Sequence, residues 1–274
     1  MRPARSRFVS ILLWIAALLV TAASLVYQRA TGPTYPIKGA VKAAGERVPF
    51  KLPRTHPGAG DAEVRLAVEH PGVAGTLTYR RYRSHDEWRT VALRRDSGFL
   101  IGAIPHQPPA GKVMYRLVLI EPGGRTIDLT DEPVIIRFRG DVPAAIVIAH
   151  VVVIFAGMLI SMRAGLAALR RGDRTQRLAI AALISLTIGG LVFGPIMQKY
   201  AFGAFWTGWP FGHDLTDNKL AVAVIAWLLA VWRAFREPPA RGWVLAAALV
   251  TLAVWFIPHS VLGSELDYTK LPAP

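Results

Sequence analysis

Long uncharged apolar runs alternate with polar segments along this chain. The first run, Phe8 to Val26, has 19 residues and is long enough to cross the ~30 Å hydrocarbon core of a bilayer as a helix. Four more apolar runs lie at 142–162, 178–198, 220–231 and 243–262. The pattern therefore predicts five transmembrane helices: an N-terminal anchor at 1–26, and four helices within 142–274.

Residues 27–141, between the first two runs, are polar and contain stretches in which apolar and polar positions alternate. A period of two is typical of half-buried strands. Seven such stretches, separated by turn residues, lie at 63–69, 76–82, 88–93, 99–104, 113–120, 125–129 and 134–138. They predict a β-sandwich at 62–141. The proline-rich stretch before it, 27–61, is expected to be an extended linker with one edge strand.

The segment from Ala62 to Gly140 resembles immunoglobulin-like or fibronectin type III domains in the number and spacing of its strands. Trp88 is a candidate core tryptophan, and Tyr115 lies in a strand where such folds often carry a corner tyrosine. The chain has no cysteine, which excludes the antibody-type disulfide. The predicted fold class is therefore a membrane α-helical bundle with an inserted all-β immunoglobulin-like sandwich, and the resemblance implies adhesion or docking.

The positive charges of the chain indicate its topology. The net charge is +14, but the short polar segments next to the apolar runs at 1–7, 163–177 and 233–241 carry 11 Lys/Arg against 2 acids, which argues for a membrane protein and against a nucleic-acid partner. Three arginines precede the first run, five lie at 163–177 and three at 233–241. The positive-inside rule then places the N-terminus in the cytoplasm and the β domain and C-terminus outside, in a bacterial inner membrane.

The first apolar run has an alternative interpretation as a cleaved signal peptide. The small residues of Val20-Thr21-Ala22 resemble a cleavage site. The run exceeds the usual apolar core of a signal peptide, about 7–15 residues, so an uncleaved anchor is favoured. Both alternatives export the segment that follows.

The connection between the third and fourth runs, at 199–219, is rich in aromatic, turn-forming and polar residues. In one interpretation its aromatic side chains form an interfacial belt, and Asp214 or Thr216 caps the next helix. In the other, Gly203, Gly208 and Gly212 bend a re-entrant loop, and Trp206 and Trp209 form the walls of a pocket. The residues of this predicted interaction loop are Trp206, Trp209, Phe211, Asp214, Asp217 and Lys219.

Two sequence segments, Gly194 to Gly203 and Trp206 to Lys219, resemble uncharacterised bacterial multi-pass membrane proteins with an exported immunoglobulin-like domain. The resemblance covers the loop and its flanking runs. It implies the membrane topology and supplies no catalytic residues.

Three of the seven histidines lie in or beside predicted spans. His150 is about 12 Å inside the second run at 1.5 Å per residue, and His259 is near the end of the last. These two are candidate axial ligands of haem b, whereas His213, Asp214 and Asp217 are candidate ligands of a first-row metal ion, with His259 as a further ligand. Alternatively, His150 makes an interhelical hydrogen bond and His259 lies at the headgroup level.

The sequence contains no nucleophile elbow, P-loop or dinucleotide-binding fingerprint, so an enzyme is not favoured. The first interpretation is an accessory, docking or assembly subunit whose partners are the lipid bilayer and other membrane-protein subunits. The alternative is a haem- or metal-binding redox protein. Small-solute transport ranks third, because no inverted repeat is visible in the apolar runs.

Overall fold

The structure is a computed structural model that describes residues 4–170, 175–259 and 263–270, and the chain divides into two compact units. A helical unit comprises Met1–Pro33, Val142–Tyr200 and Ala204–Gly263. A β unit comprises Thr34–Asp141, Ala201–Gly203 and Ser264–Pro274.

Apolar helices make up the helical unit. In chain order they are α1 (Ala4–Thr31), α2 (Ala144–Ala168), α3 (Thr175–Leu186), a π-helical segment (Thr187–Phe193), α4 (Gly194–Phe202), α5 (Leu215–Arg236) and α6 (Arg241–Phe256). Within the described residues, four helices are long and apolar enough to cross a membrane: Arg7–Thr31, Ala144–Ala168, Thr175–Phe202 and Leu215–Arg236. These four correspond to the first four predicted spans and indicate a membrane protein.

The prediction of a fifth long span at 243–262 is wrong. Helix α6 ends at Phe256 and has 16 residues, so it is a shorter apolar helix than the other four. Ile257 is extended and Pro258 follows it, which accounts for the end of the helix because a residue before proline avoids the helical conformation. Residues 260–262 of the predicted span lie outside the described residues.

Glycines allow the helices to approach each other closely. A Cβ atom on Gly189, in the π-helical segment, would lie 2.8 Å from the backbone nitrogen of Ile154 on α2. One on Gly190 would overlap the side chain of Leu220 on α5. The Gly189-Gly190 pair therefore lets the π-helical segment lie close to α2 and α5. The core of the unit includes the fully buried Trp227, whose Nε1 donates to Thr251 Oγ1 at 2.8 Å.

The β unit contains three sheets. Their strands are β1 (Ile37–Ala43), β2 (Glu46–Leu52), β3 (Thr55–Pro57), β4 (Ala62–Ala67), β5 (Ala74–Arg81), β6 (Arg89–Ala92), β7 (Arg94–Asp96), β8 (Phe99–Ile104), β9 (Lys112–Ile120), β10 (Thr126–Asp128) and β11 (Val134–Arg139). The strand orders are β1-β2, β3-β11-β9-β5-β6 with β10 on β9, and β4-β8-β7. Only β3-β11 pairs in parallel among the described strands.

One hydrophobic core joins the three sheets of the β unit. Strand β9 buries every second residue, from Val113 to Leu119, as the alternating pattern predicted. Leu52 of the first sheet and Leu100 of the third contribute buried side chains to the same core. Each of the seven predicted strands corresponds to an observed strand, and β7 is an additional short one.

The stretch 27–61 differs from the predicted extended linker. Helix α1 continues to Thr31, and β1 and β2 form a hairpin. Ala44 and Gly45 make its turn with φ values of 49° and 84°. Two consecutive residues with positive φ are what a tight two-residue hairpin turn needs. Pro49 misled the prediction, because a two-stranded hairpin has free edges that tolerate a missing N–H.

The two aromatic residues singled out in the β region occupy opposite environments. Trp88 is not a core tryptophan: it is 37% exposed, and its ring lies 4.7 Å from the Arg80 guanidinium carbon. Trp88 lies just before β6, an edge strand whose residues are all exposed. Tyr115 is fully buried, and its hydroxyl donates a 2.8 Å hydrogen bond to the carbonyl of Pro53.

The C-terminal segment 263–270 belongs largely to the β unit. The carboxylate of Glu265 pairs with Arg83 and Lys112, at 2.6 Å each. Tyr268 is buried, and its hydroxyl donates to Gln107 Oε1 at 3.0 Å. These contacts attach the segment to β9, which carries Lys112, and to the loops that carry Arg83 and Gln107.

Candidate functional site: the aromatic loop

The loop between α4 and α5, residues 203–214, has defined ends. Gly203 has a φ of +84°, a left-handed conformation that commonly terminates a helix. Asp214 is the N-cap of α5, and its Oδ1 accepts a 2.8 Å hydrogen bond from the Thr216 backbone N–H. The capping role predicted for Asp214 is confirmed.

The loop is attached to the first turn of α5 through Asp217. This side chain is buried, and its Oδ2 accepts hydrogen bonds from the backbone N–H groups of Thr207 at 2.7 Å and Gly208 at 3.0 Å. Gln198 Nε2, on α4, donates to the same oxygen at 3.3 Å. Hydrogen bonds from N–H groups to a carboxylate are stronger than those between neutral groups. Asp217 therefore fixes the backbone at the centre of the loop.

A second attachment lies one residue further along the helix. Asn218 Oδ1 accepts a 2.7 Å hydrogen bond from the Trp209 N–H. Within the loop, the Asp214 N–H donates to the Thr207 carbonyl at 3.0 Å, and Gln198 Nε2 donates to Thr207 Oγ1 at 2.6 Å. The backbone from 207 to 209 is thus held from both flanking helices.

Two glycines make this close packing possible. A Cβ atom on Gly208 would lie 2.6 Å from the Asp217 Cβ atom. One on Gly212 would overlap the Thr207 carbonyl oxygen. The bending role predicted for these glycines is therefore consistent with their surroundings, and a larger residue at either position would displace the loop.

The fixed backbone carries strongly exposed aromatic side chains. Trp209 is 77% exposed and Phe211 is 81% exposed. Trp206 is half-buried, and its Nε1 donates to the Trp209 carbonyl at 3.1 Å. Trp209 therefore projects outward instead of lining an enclosed pocket with Trp206. The arrangement is suited to apolar contact, since Asp217 is already occupied by donors.

Lys219 connects the start of α5 with the end of α6. Its side chain is buried, and Nζ donates a 2.6 Å hydrogen bond to the carbonyl of Ile257. That carbonyl lies just beyond α6, where no further helical N–H follows to bond it. Of the predicted interaction residues, Asp214, Asp217 and Lys219 are thus internal supports, whereas Trp209 and Phe211 form the exposed surface.

The three histidines of the ligand hypotheses lie in different surroundings. His150 is half-buried, and its Nδ1 lies 2.9 Å from the carbonyl of Gly189, so Nδ1 is the donor. The interhelical hydrogen bond expected for His150 is confirmed. His213 and His259 are exposed. Within the described residues, no group of three or more His, Asp or Glu side chains is arranged to hold a metal ion.

Three supporting residues escaped prediction as site residues: Gln198, Thr207 and Asn218. Their roles depend on contacts across the loop. The two residues joined by each hydrogen bond to Asp217 or Asn218 are nine or more positions apart in the sequence. The sequence signal that could have indicated these supports was the pair Gly208 and Gly212, because glycines beside aromatic residues indicate a tightly packed backbone.

No protein-family model matches this sequence, and no curated protein matches it. The fold and site define a class only: a protein with four membrane-spanning candidate helices, a separate β unit and a rigid aromatic loop.

Proposed function

We propose that this protein is an accessory or assembly subunit of a membrane-protein complex in the bacterial inner membrane, and that its aromatic loop binds another membrane-spanning subunit. The observation that carries the proposal is the exposure of Trp209 and Phe211 on a backbone held by Asp217 and Asn218. Aromatic residues dominate the energetics of protein interfaces.

A membrane-anchoring belt is the simpler role for aromatic residues beside membrane helices. Such a belt needs only side chains at the right depth, and it does not need a defined backbone. Here the side-chain acceptors of Asp217 and Asn218 and two tightly packed glycines fix the backbone that carries Trp209 and Phe211. A preorganised backbone lowers the entropy lost on binding a protein partner, so it favours docking.

The orientation belongs to the same proposal. The arginine-rich N-terminus and the connections at 163–177 and 233–241 are cytoplasmic, whereas the β unit and the aromatic loop are extracytoplasmic. The β unit serves as an immunoglobulin-like interaction domain. The single hydrophobic core that joins its sheets supports this role, since β-sandwiches commonly present loops to partners.

A photo-crosslinking experiment in native membranes tests the docking role. Benzoylphenylalanine is placed at Phe211 in the full chain, and at Phe235 as a control, because Phe235 is 65% exposed near the other end of α5. We expect position 211 to form a discrete product with one integral membrane protein. Trp209→Ala should weaken this product, because loss of a central interface aromatic costs about 2 kcal/mol or more, roughly 30-fold in affinity.

The control decides between a specific partner and general proximity. Position 235 is expected to give lipid adducts without the discrete protein product. If position 211 gives only lipid adducts as well, the docking role is contradicted and the loop is a membrane anchor.

One observation favours the redox alternative. The Nδ1 atom of His150 donates to the Gly189 carbonyl, so the Nε2 atom of His150 is the ring nitrogen available to a ligand, as in many metal-binding histidines. His259, the second expected axial ligand, is exposed. A reduced-minus-oxidised absorbance spectrum and metal analysis of the purified protein test this function, and a Soret band lost in His150→Ala would establish it over docking alone.

A further inference from the structure

A cavity of about 270 Å³ opens on the β unit, at one end of the sheet formed by β5 and β6. Charged and polar side chains line much of it, namely the three arginines Arg80, Arg81 and Arg89, the two carboxylates Asp86 and Glu87, and Tyr79, His106 and Gln107. It lies outside the helical unit and shares no residue with the aromatic loop.

The cavity forms where the core face of β5 reaches the end of the strand. Leu77 is fully buried on this face, Tyr79 is partly buried against the core, and Arg81 comes two residues later. Successive residues on one face of a strand are two apart, so the hydrophobic core gives way to a guanidinium at this edge. Val113, the register partner of Arg81, supplies an apolar wall.

Arg81 is held in place by its neighbours. Its Nε and Nη2 atoms donate to the two oxygens of Asp86 at 2.6 and 2.8 Å, and its guanidinium carbon lies 4.9 Å from the Tyr268 ring centre. The Arg81 hydrogen bonds hold the pKa of the Asp86 carboxyl below its usual range, so the pair stays ionised. Arg81 therefore gives the cavity a fixed wall, with its charge balanced by Asp86.

The cavity has three guanidinium groups, those of Arg80, Arg81 and Arg89, against the carboxylates of Asp86 and Glu87, so one positive charge is left unbalanced. Arg80 and Arg89 form no ion pair within the part of the chain that the structure describes. Arg80 stacks on Trp88, and its Nε is buried without a hydrogen-bond partner among the described residues. Tyr79 is the register partner of Arg89 on β6, which places Arg89 on the face of Tyr79 and Arg81, whereas Arg80 belongs to the opposite face of β5. Both arginines line the cavity.

We propose that this cavity binds the oxyanion, a carboxylate or phosphate group, of a small organic ligand. Guanidinium groups recognise both anions through paired N–H donors. Tyr79 and Val113 provide an apolar surface for the rest of the ligand, and Gln107 adds a neutral polar group. The proposal is independent of the docking role of the aromatic loop.

Isothermal titration of the full-length protein in detergent tests the site, with phenyl phosphate and benzoate as probes and benzyl alcohol as the neutral analogue. We expect saturable binding of at least one anion and none of the alcohol. Arg80→Gln with Arg89→Gln should weaken binding about tenfold or more, because each hydrogen bond to a charged group contributes more than a neutral one.

The matched control removes two other positive charges from the same unit. Arg47→Gln with Arg125→Gln changes exposed side chains away from the cavity, and it should leave the affinity unchanged. If the double variant does not fold, Arg89→Gln alone replaces it, because Arg89 is exposed, and this variant should also bind the anion more weakly. Equal losses in both double variants, or equal binding of benzyl alcohol, would overturn the proposal, as would the absence of saturable anion binding.

A second titration identifies the source of the oxyanion. Phenyl phosphate is titrated into the full chain in phosphatidylglycerol nanodiscs and in a phospholipid-free maltoside detergent. Weaker phenyl phosphate binding in the nanodiscs than in the detergent assigns the site to a lipid phosphate. Equal phenyl phosphate affinity in both environments assigns it to a free ligand.

Discussion

Asp217 shows how one buried carboxylate can define the shape of a loop. Its Oδ2 accepts hydrogen bonds from the backbone N–H groups of Thr207 and Gly208, and Gln198 adds a third donor. The exposed aromatics next to this backbone contribute little to the fold themselves, since most of their surface stays uncovered. Loss of the carboxylate should therefore loosen the aromatic loop while the helices remain.

Asp217→Ala tests this role. The substitution leaves the N–H groups of Thr207 and Gly208 without their acceptor, at a cost of about 1–3 kcal/mol for each buried group. We expect chymotrypsin to cleave the variant faster after Phe211 than the parent protein. Asp217→Asn, which keeps one oxygen acceptor, should fall between them.

His213→Ala serves as the control for the protease experiment. His213 is exposed in the same loop, so its removal should leave the cleavage rate unchanged. Cleavage of Asp217→Ala at the rate of His213→Ala would show that the loop does not depend on the carboxylate.

At the residue scale, the sequence could predict local roles better than distant ones. Asp214 was recognisable as a cap because its partner, Thr216, is two positions away. Asp217 was placed in the interaction loop, but its bonds to Thr207 and Gly208 depend on how the loop folds back. Trp88 was misassigned because a tryptophan beside a strand carries no sign of the face it occupies.

At the scale of elements, the crossing of α2 with the π-helical segment depends on Gly189. Its missing side chain allows the backbone of Ile154 to approach, and its carbonyl accepts the His150 hydrogen bond. The Gly194 N–H donates to the same carbonyl, which is the i to i+5 pattern of a π-helix. The His150 hydrogen bond and the Ile154 contact both need the two helices at their present separation.

Gly189→Ala should therefore destabilise the helical unit. Its new methyl group would meet backbone atoms, which cannot rotate away, and such overpacking costs about 1–3 kcal/mol. The midpoint of unfolding in a titration with sodium dodecyl sulfate measures the loss. Gly242→Ala is the control: nothing lies within 4 Å of its added Cβ, and the helical position favours alanine. Similar midpoints for the two variants would contradict the packing argument.

The sequence pattern located helices and strands well where a segment was uniformly apolar or alternated regularly between apolar and polar residues. Uncharged runs predicted the four long helices, and alternation predicted the strands of the common core. The end of α6 was overestimated, because hydropathy continues past Phe256 while Pro258 changes the backbone. The β1-β2 hairpin was missed, since Ala44 and Gly45 form a tight turn without the usual Asn or Asp signal.

At the scale of the whole molecule, the segment after α6 constrains the membrane topology. Glu265 pairs with Arg83 and Lys112 of the β unit, so we expect this segment on the same side of the membrane as the β unit. Four crossings by the four candidate spans would leave the chain on the opposite side after α5. The proposed topology therefore predicts that the short helix α6, with 16 residues and a length of about 24 Å, returns the chain to the first side.

Single cysteines report these positions directly, because the chain has no cysteine of its own. Arg125→Cys marks the β unit, Glu237→Cys the connection between α5 and α6, and Lys270→Cys the C-terminal segment; the side chains of Glu237 and Lys270 are 66% and 81% exposed. In spheroplasts, a membrane-impermeant maleimide should label positions 125 and 270. Position 237 should react only after permeabilisation.

The labelling of Lys270→Cys separates two topologies, one with the C-terminal segment on the side of the β unit and one with it in the cytoplasm. Reaction in intact spheroplasts, together with Arg125→Cys, supports the ion pairs of Glu265 as contacts that form in the membrane. Reaction only after permeabilisation, alongside Glu237→Cys, would place the chain end in the cytoplasm. The contacts of Glu265 could then not form in the inserted protein, because a bilayer would separate their partners.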